Sequence, residues 1–516
     1  MTYKVIQSDK EGHKYQYEVE SYWDPITKQS KQHRRYIGVW DETTGKVKQK
    51  EAQRNVVTTK EFGSVYLLNK VSDDLDLSKK LEHAFGSDGK DILALSMAKV
   101  LKPTALKHVG NTMEDSRIPE TCKTDSSFGS QWLSDFLVSI SKQDLGVVNF
   151  SKSLTDNKDD ALIYDITSLS SYSKNINWLE YGNDYRKLDN PQVNLGVVFS
   201  IKKKIPIYYK LFPGSITDVV TIKNLISEVR EFGVKKCTYV LDRGFFSETN
   251  VIALIDGEVE FIMPLPFSTE IGKNSVSESN LNIETANNAK RFGKKIYYVV
   301  EKKVNIGGKT INAFVLFNEE RKGDEVNSFY NRLMDIEKEL EGKQVRRNPQ
   351  KVFEIITRDF KNYFSYVYGS NGFHLERKTN AITQAVNRMG KMILLSSADI
   401  SWDDALSSYR ERDTIEKIFD ELKNDLDIMP FRVRKNETLK GLTLIYFVSM
   451  ILRSLLLQRA RNAKLLEKDS LEGILSEMSK IRAVLIGNQW KLTEITKKQR
   501  TYFEKMGIPI PVSVET

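Results

Sequence analysis

The chain has 516 residues, 40% of them hydrophobic and 28% charged, which excludes fibrous, low-complexity and disordered classes and makes it too long for a single core. Its formal net charge of +9 favours a polyanionic partner, because surface Lys and Arg concentrate phosphates. The two cysteines, Cys122 and Cys237, match no metal or redox spacing, which excludes a disulfide scaffold. With a polar, strand-like start and no apolar leader, the expected location is cytoplasmic.

Residues 1–60 read as a small β-rich unit. "YKVIQ", "YQYEVESYW" and "HRRYIGVWD" are rich in β-branched and aromatic residues and are separated by the polar turns "DPITKQSK" and "DETTGK". Residues 61–155 change to helical spacing, as in "DILALSMAKVL" and in "SSFGSQWLSDFLVSI" with its leading Ser caps. This unit suits either a DNA-binding module or a plain helical scaffold.

From 156 to 267 strands and helices alternate. "ALIYDITSL" is an apolar strand with Asp165 expected at its end, and "VNLGVVFSIKKKIPIYYKLFPGS" reads as two strands around the turn Lys202–Lys204. "TDVVTIKNLISEVREFG" is an expected helix, capped by Thr217 or Asp218 and stopped by Gly233. "KKCTYVLDRGFF" is a strand ending in Asp242, followed by the helix "SETNVIALIDG" and the strand "VEFIMPLPF". Such alternation implies an α/β class with a mixed sheet and flanking helices.

Between 268 and 385 the rhythm breaks into polar, strand-like pieces and a charged helix, read as an insertion. Residues 386–464 return to the core with "GKMILLSS", the charged helix "YRERDTIEKIFDELK" and the apolar run "LTLIYFVSMILRSLLL". That run is shorter than the roughly 20 residues of a membrane span and contains Arg453, so a buried helix and no membrane partner are expected. Residues 465–516 read as a basic helical tail, a candidate for multimerisation.

The charged helix carries the chemistry. With Tyr409 as origin and about 100° per residue, Arg412 falls near ~300°, Glu416 near ~340° and Lys423 near ~320°. These residues share one stripe beside the apolar face formed by Ile415, Ile418, Phe419, Leu422 and Leu426. Arg412 and Glu416 alone would make an ordinary i, i+4 ion pair. Asp165 and Asp242, expected at carboxyl ends of strands, add two carboxylates at the edge where α/β sheets bind ligands. Three converging carboxylates require a cation. Oxygen donors without His or Cys partners select Mg²⁺, or Mn²⁺ in its place, and none of the five histidines has paired ligand spacing. Two such ions in a basic protein point to phosphoryl transfer, with Arg412 and Lys423 gripping the flanking phosphates.

Tyr409-x2-Arg412-x3-Glu416-x6-Lys423 resembles the Y-R-E-K signature of DDE transposases of the insertion sequence 4 group and its close relatives. "LIYDITSLS" and "YVLDRGFFSETNV" are similar to their two Asp blocks, and the likeness covers about 160–460. The resemblance implies an RNase H-like catalytic core interrupted by a β-rich insertion, with Asp165, Asp242 and Glu416 as catalytic and metal-binding residues. It also implies DNA contacts from Tyr409, Arg412, Lys423 and Arg243. The implied partners are double-stranded DNA, both terminal inverted repeats and target, and a second copy of the chain in a homodimeric synaptic complex. One position departs from the pattern. Some relatives carry, next to the signature Arg, a Trp that holds a flipped base during hairpin formation, and here that residue is Asp413. The resemblance therefore leaves open whether a hairpin forms. The alternatives to a cut-and-paste transposase are an RNase H-like nuclease without strand transfer and a non-catalytic DNA-binding descendant.

Overall fold

The structure is a computed structural model. It describes residues 2–515 other than 10–11, 25–26, 43–44, 49–57, 156–159, 174, 182–190, 217–227, 230–236, 281–282, 414 and 418–432. The chain forms two compact units, one from 1–60, 482–493 and 512–516, the other from 61–481 and 494–511.

In the first unit β1 (Thr2–Ser8), β2 (Lys14–Asp24), β3 (Gln29–Asp41) and β4 (Lys46–Lys48) form an antiparallel meander in chain order, followed by β5 (Thr58–Glu61). The expected strands are all present. The meander buries Val19 but leaves Tyr3, Tyr22, Trp23 and Tyr36 exposed.

The second unit begins with helices α1 (Gly63–Asp73), α2 (Leu77–Phe85), α3 (Asp88–Leu101), α4 (Val109–Glu114), α5 (Ile118–Cys122), α6 (Ser130–Ile140) and α7 (Asp144–Leu154). There follow β6 (Asp160–Ser170), β7 (Gln192–Ser200), β8 (Ile205–Pro213), β9 (Cys237–Val240), α8 (Glu248–Asp256) and β10 (Glu260–Pro264). Ser247 caps α8 by accepting a hydrogen bond from the Asn250 N–H, the local reason that the helix starts there. The helix expected over "TDVVTIKNLISEVREFG" lies almost wholly outside the described residues.

The segment read as an insertion supplies α9 (Glu270–Asn280), β11 (Ala289–Phe292), β12 (Lys295–Ile306), β13 (Lys309–Phe317), α10 (Glu319–Leu340), α11 (Pro349–Thr357), β14 (Phe364–Gly369), β15 (Gly372–Arg377) and α12 (Thr379–Arg388). Its two halves behave differently. Gly307 and Gly308, both at positive φ, close the β12–β13 hairpin, and β13 then pairs with β16 (Lys391–Ser396). That pairing makes β11–β13 the edge of one nine-stranded mixed sheet, ordered β11-β12-β13-β16-β10-β9-β6-β7-β8. The other half forms its own core, where Phe329, Leu333, Ile336 and Leu340 of α10 meet Phe353, Phe364, Phe373 and Ile382.

After β16 come α13 (Trp402–Arg410) and α14 (Asn436–Asn462). α14 is long and apolar enough to cross a membrane by length and composition, yet 89% of its most apolar stretch is buried inside the protein. It packs against α1, α3, α6 and β8. Ser96 Oγ donates to the Ile445 carbonyl at 3.1 Å, and Ser449 Oγ donates to the Ser96 carbonyl at 3.2 Å. Gly441 allows the close approach of α6, since a Cβ there would stand 2.1 Å from the Leu137 carbonyl oxygen.

The C-terminal region is not wholly helical, as the sequence reading had it. Between α15 (Leu471–Ser479) and α16 (Lys497–Lys505) it forms the hairpin β17 (Arg482–Ile486) and β18 (Gln489–Leu492), and β17 also pairs with β5. The physical reason is the Gly487-Asn488 loop between two short apolar runs, a two-residue turn signal, with Gly487 at φ +61°.

Candidate active site

Strand register builds the site. β6 and β9 run parallel, and their last pair is Ile163 opposite Val240. Asp165 and Asp242 each follow two residues later, so the two acids come level beyond the end of β9. Asp165 does not end its strand, as the sequence reading had it. β6 continues to Ser170 because β7 pairs with it along its whole second half, Asp165 lying opposite Val197. Asp242 does follow its strand and accepts a hydrogen bond from the Arg243 N–H.

The third element is the charged helix. The expected continuous run is interrupted: α13 ends at Arg410, and helical structure resumes at Arg412. Glu411 keeps helical angles of −62° and −16°, so the break does not reverse the chain, and Tyr409, Arg412 and Glu416 stay on one flank. Lys423 lies outside the described residues.

Arg412 joins the acids. Its Nη1 lies 3.1 Å from Asp242 Oδ1, and its Nη2 lies 3.8 Å from Asp165 Oδ2 and 2.6 Å from Glu416 Oε1. Nη1 also donates to the Tyr409 hydroxyl at 3.4 Å, whereas the buried Nε has no hydrogen-bond partner among the described residues. The side chains of Arg412 and Asp165 are 13% and 12% exposed, against 36% for Asp242 and 53% for Glu416. One guanidinium therefore serves three carboxylates of graded exposure.

Burial decides the electrostatics of Asp165. It pushes the carboxyl up to about 7 against the opposing pull of Arg412, with Asp242 and Glu416 adding like-charge repulsion. Burial also raises the Tyr409 phenol, opposed by Arg412. Arg412 itself is held above its ordinary value: burial works against its charge, but Asp165, Asp242, Tyr409 and Glu416 outweigh it.

Asp165, Asp242, Arg243, Tyr409, Arg412 and Glu416 all line one open cavity of about 970 Å³. Two further cations line it that sequence reasoning missed, Arg321 from the start of α10 and Lys391 from the start of β16. Arg321 pairs with Glu325 at 2.7 Å. Lys391 Nζ donates to the Asn387 carbonyl at 2.7 Å and sits 5.6 Å from the centre of the Phe317 ring. Burial first, and then the neighbouring Lys322, lower its pKa. Local pattern held no signal for either residue; knowing that β16 lies between β13 and β10 would have supplied it.

The donor set suits a hard divalent cation, being carboxylate oxygen throughout, with a buried Asp165 in need of positive charge. The carboxylates are nevertheless gathered on Arg412. Among the described residues, no three His, Cys, Asp or Glu side chains are grouped to hold one ion. The chemistry fits, and the guanidinium stands among the donors.

A mixed sheet thus brings two acids level beside a helix that bears Arg412 and Glu416. The chain belongs to the DDE transposases, the transposase DDE domain family matching residues 156–452. Members of that family generally use divalent metal ions. Among solved structures the chain is similar to the piggyBac transposase synaptic complex with hairpin DNA. The identity is 10% and the TM-score 0.35, over 80% of this chain and 79% of that one. No curated protein is a match.

Proposed function

We propose that this protein is a cut-and-paste DNA transposase whose RNase H-like core uses Asp165, Asp242 and Glu416 to cleave element ends and join their 3′-OH groups to target DNA. The observation that carries the reading is the gathering of these three acids around Arg412 in one cavity, within the segment that matches the family. Asp165, Asp242 and Glu416 would hold Mg²⁺ or Mn²⁺, which when bound activates the attacking oxygen and stabilises the leaving one.

The residues of the chain do the rest. Arg412 and Arg243 bind the phosphates flanking the scissile bond, Arg412 through a planar fork that matches two phosphate oxygens. Lys423 adds a further phosphate contact. Tyr409, which accepts a hydrogen bond from Arg412, contacts the DNA backbone beside it. Arg321 and Lys391 line the same cavity, where they draw the backbone of the same duplex inward. Synapsis of two ends requires a second copy of the chain.

The experiment uses a duplex carrying the element's terminal inverted repeat, with Mg²⁺ and purified protein. Asp242→Ala abolishes strand cleavage and leaves end binding largely intact; full cleavage by this variant rejects the acidic triad. Hydrolysis by the unaltered protein without joining of the 3′-OH ends to a target duplex would make it a nuclease rather than a transposase.

A further inference from the structure

We propose that Arg412 and divalent metal ions compete for the same three carboxylates, so that metal entry releases Arg412 to the DNA phosphate and phosphate capture of Arg412 promotes metal entry. The inference rests on the reading of Asp165, Asp242 and Glu416 as the metal-holding set. It adds that the set is already neutralised in part by a side chain of the same protein.

The geometry carries it. Arg412 Nη2 contacts both Asp165 and Glu416, and Nη1 contacts Asp242. Carboxylates bridged through guanidinium nitrogens, 2.6 to 3.8 Å away, cannot also converge on an ion that requires oxygens at about 2.0–2.1 Å. The two arrangements exclude one another, and the cluster contracts when a metal replaces the guanidinium.

The second observation is the orphaned Nε. A guanidinium presents five N–H donors in one plane, and a buried donor without a partner is costly. Among the described residues the Nε–H has none, although both Nη groups are engaged. Arg412 is therefore imperfectly satisfied among the carboxylates. A phosphate takes Nε–H and Nη–H together as a bidentate pair, which completes the donor set that the carboxylates leave open. Arg412 has two alternative partners, and the one outside the protein fits it better.

Linkage then fixes the sign. If a phosphate that holds Arg412 raises metal affinity by some factor, metal raises phosphate affinity by the same factor. Metal binds weakly to the free protein and tightly beside DNA, which keeps an armed metal site away from protein that has engaged no substrate.

The test measures Mn²⁺ binding to the full chain without DNA, by the electron paramagnetic resonance signal of free Mn²⁺, and repeats it with a duplex oligonucleotide. Arg412→Gln keeps length and some hydrogen bonding but removes the charge. It is expected to bind Mn²⁺ at least about ten-fold more tightly than the unaltered protein without DNA, and to lose the gain that the duplex gives the unaltered protein. Arg412→Lys, whose single ammonium cannot bridge the three carboxylates, is expected to fall between them and covers the case in which the Gln variant fails to fold. Equal or weaker Mn²⁺ binding by both variants, with native circular dichroism, overturns the competition. Mn²⁺ binding that is unchanged in an Asp165→Asn, Asp242→Asn, Glu416→Gln triple variant overturns instead the reading of the triad on which it rests.

Discussion

The contact between α6 and α14 makes a sharp prediction because two effects of known sign oppose each other there. Replacing a helical glycine by alanine ordinarily stabilises a helix by about 0.5–1 kcal/mol. At Gly441 the added Cβ would meet Leu137 O at 2.1 Å, Leu137 C at 2.8 Å and Leu137 Cα at 2.9 Å, all of them backbone atoms that no rotamer change can move aside. Relief requires α6 to retreat by about 1 Å, and a gap of that size forfeits a quarter to a half of each dispersion contact along the crossing. Overpacking of this kind costs about 1–3 kcal/mol, enough to outweigh the propensity gain. Gly323 in α10 is the control, because a Cβ there meets nothing within 4 Å. Gly441→Ala is therefore expected to lower the midpoint of thermal unfolding and Gly323→Ala to raise it slightly. Native-state hydrogen exchange locates the effect: amides of α6 should exchange roughly ten-fold faster in Gly441→Ala, the equivalent of about 1.4 kcal/mol. If Gly441→Ala is as stable as Gly323→Ala, the close approach of the two helices is wrong.

The His374 ring nitrogen Nδ1 lies 2.7 Å from Glu341 Oε1, and that hydrogen bond and charge raise the imidazole above its ordinary 6.5. A raised folded-state value means that the pair stabilises the fold below pH 6.5 and that the contribution is lost as pH rises through the folded value. An NMR titration of the His374 ring should show the upward shift, and Glu341→Gln should remove it. Burial, and secondarily Asp91, push the Cys122 thiol up to about 12, so a thiol reagent at pH 8 should leave it unmodified until the protein unfolds; prompt labelling in the native state would contradict its burial. Lys391→Ala should weaken DNA binding across sequences and reduce the slope of log affinity against log salt by about one; an unchanged slope would remove Lys391 from the DNA path.

What the sequence revealed follows from what local pattern can encode. The apolar runs around Asp165 and Asp242 made their strands legible, and helical periodicity placed Tyr409, Arg412 and Glu416 on one stripe before any tertiary contact was known. The same arithmetic saw Arg412 as an i, i+4 partner of Glu416. It could not see that strand register would bring Asp165 and Asp242 to the same guanidinium, because the pairing of Ile163 with Val240 joins distant segments. The composition break after residue 268 was visible, but the pairing of β13 with β16, which ties β11–β13 into the main sheet, is again non-local. Asp165 looked terminal because "LIYD" ends an apolar run, whereas the partner strand β7 carries β6 onward. The Gly487-Asn488 hairpin was legible in principle, but it lies in a segment read whole as a basic helical tail.

The burial of α14 also has a consequence in time. Ser96 and Ile445, which bond to each other across the helical layer, are separated by 349 residues. At about 5–20 residues per second of synthesis, α3 waits roughly 20–70 s for the helix that covers it. Until α14 is made, α3, then α6 and later the strand β8 present to the cell the apolar surface that α14 hides. Slower elongation downstream of α3 would lengthen the exposure, and faster elongation would shorten it. The yield of folded protein should accordingly depend on translation rate and on chaperones that shield apolar surface, even where the finished fold is stable.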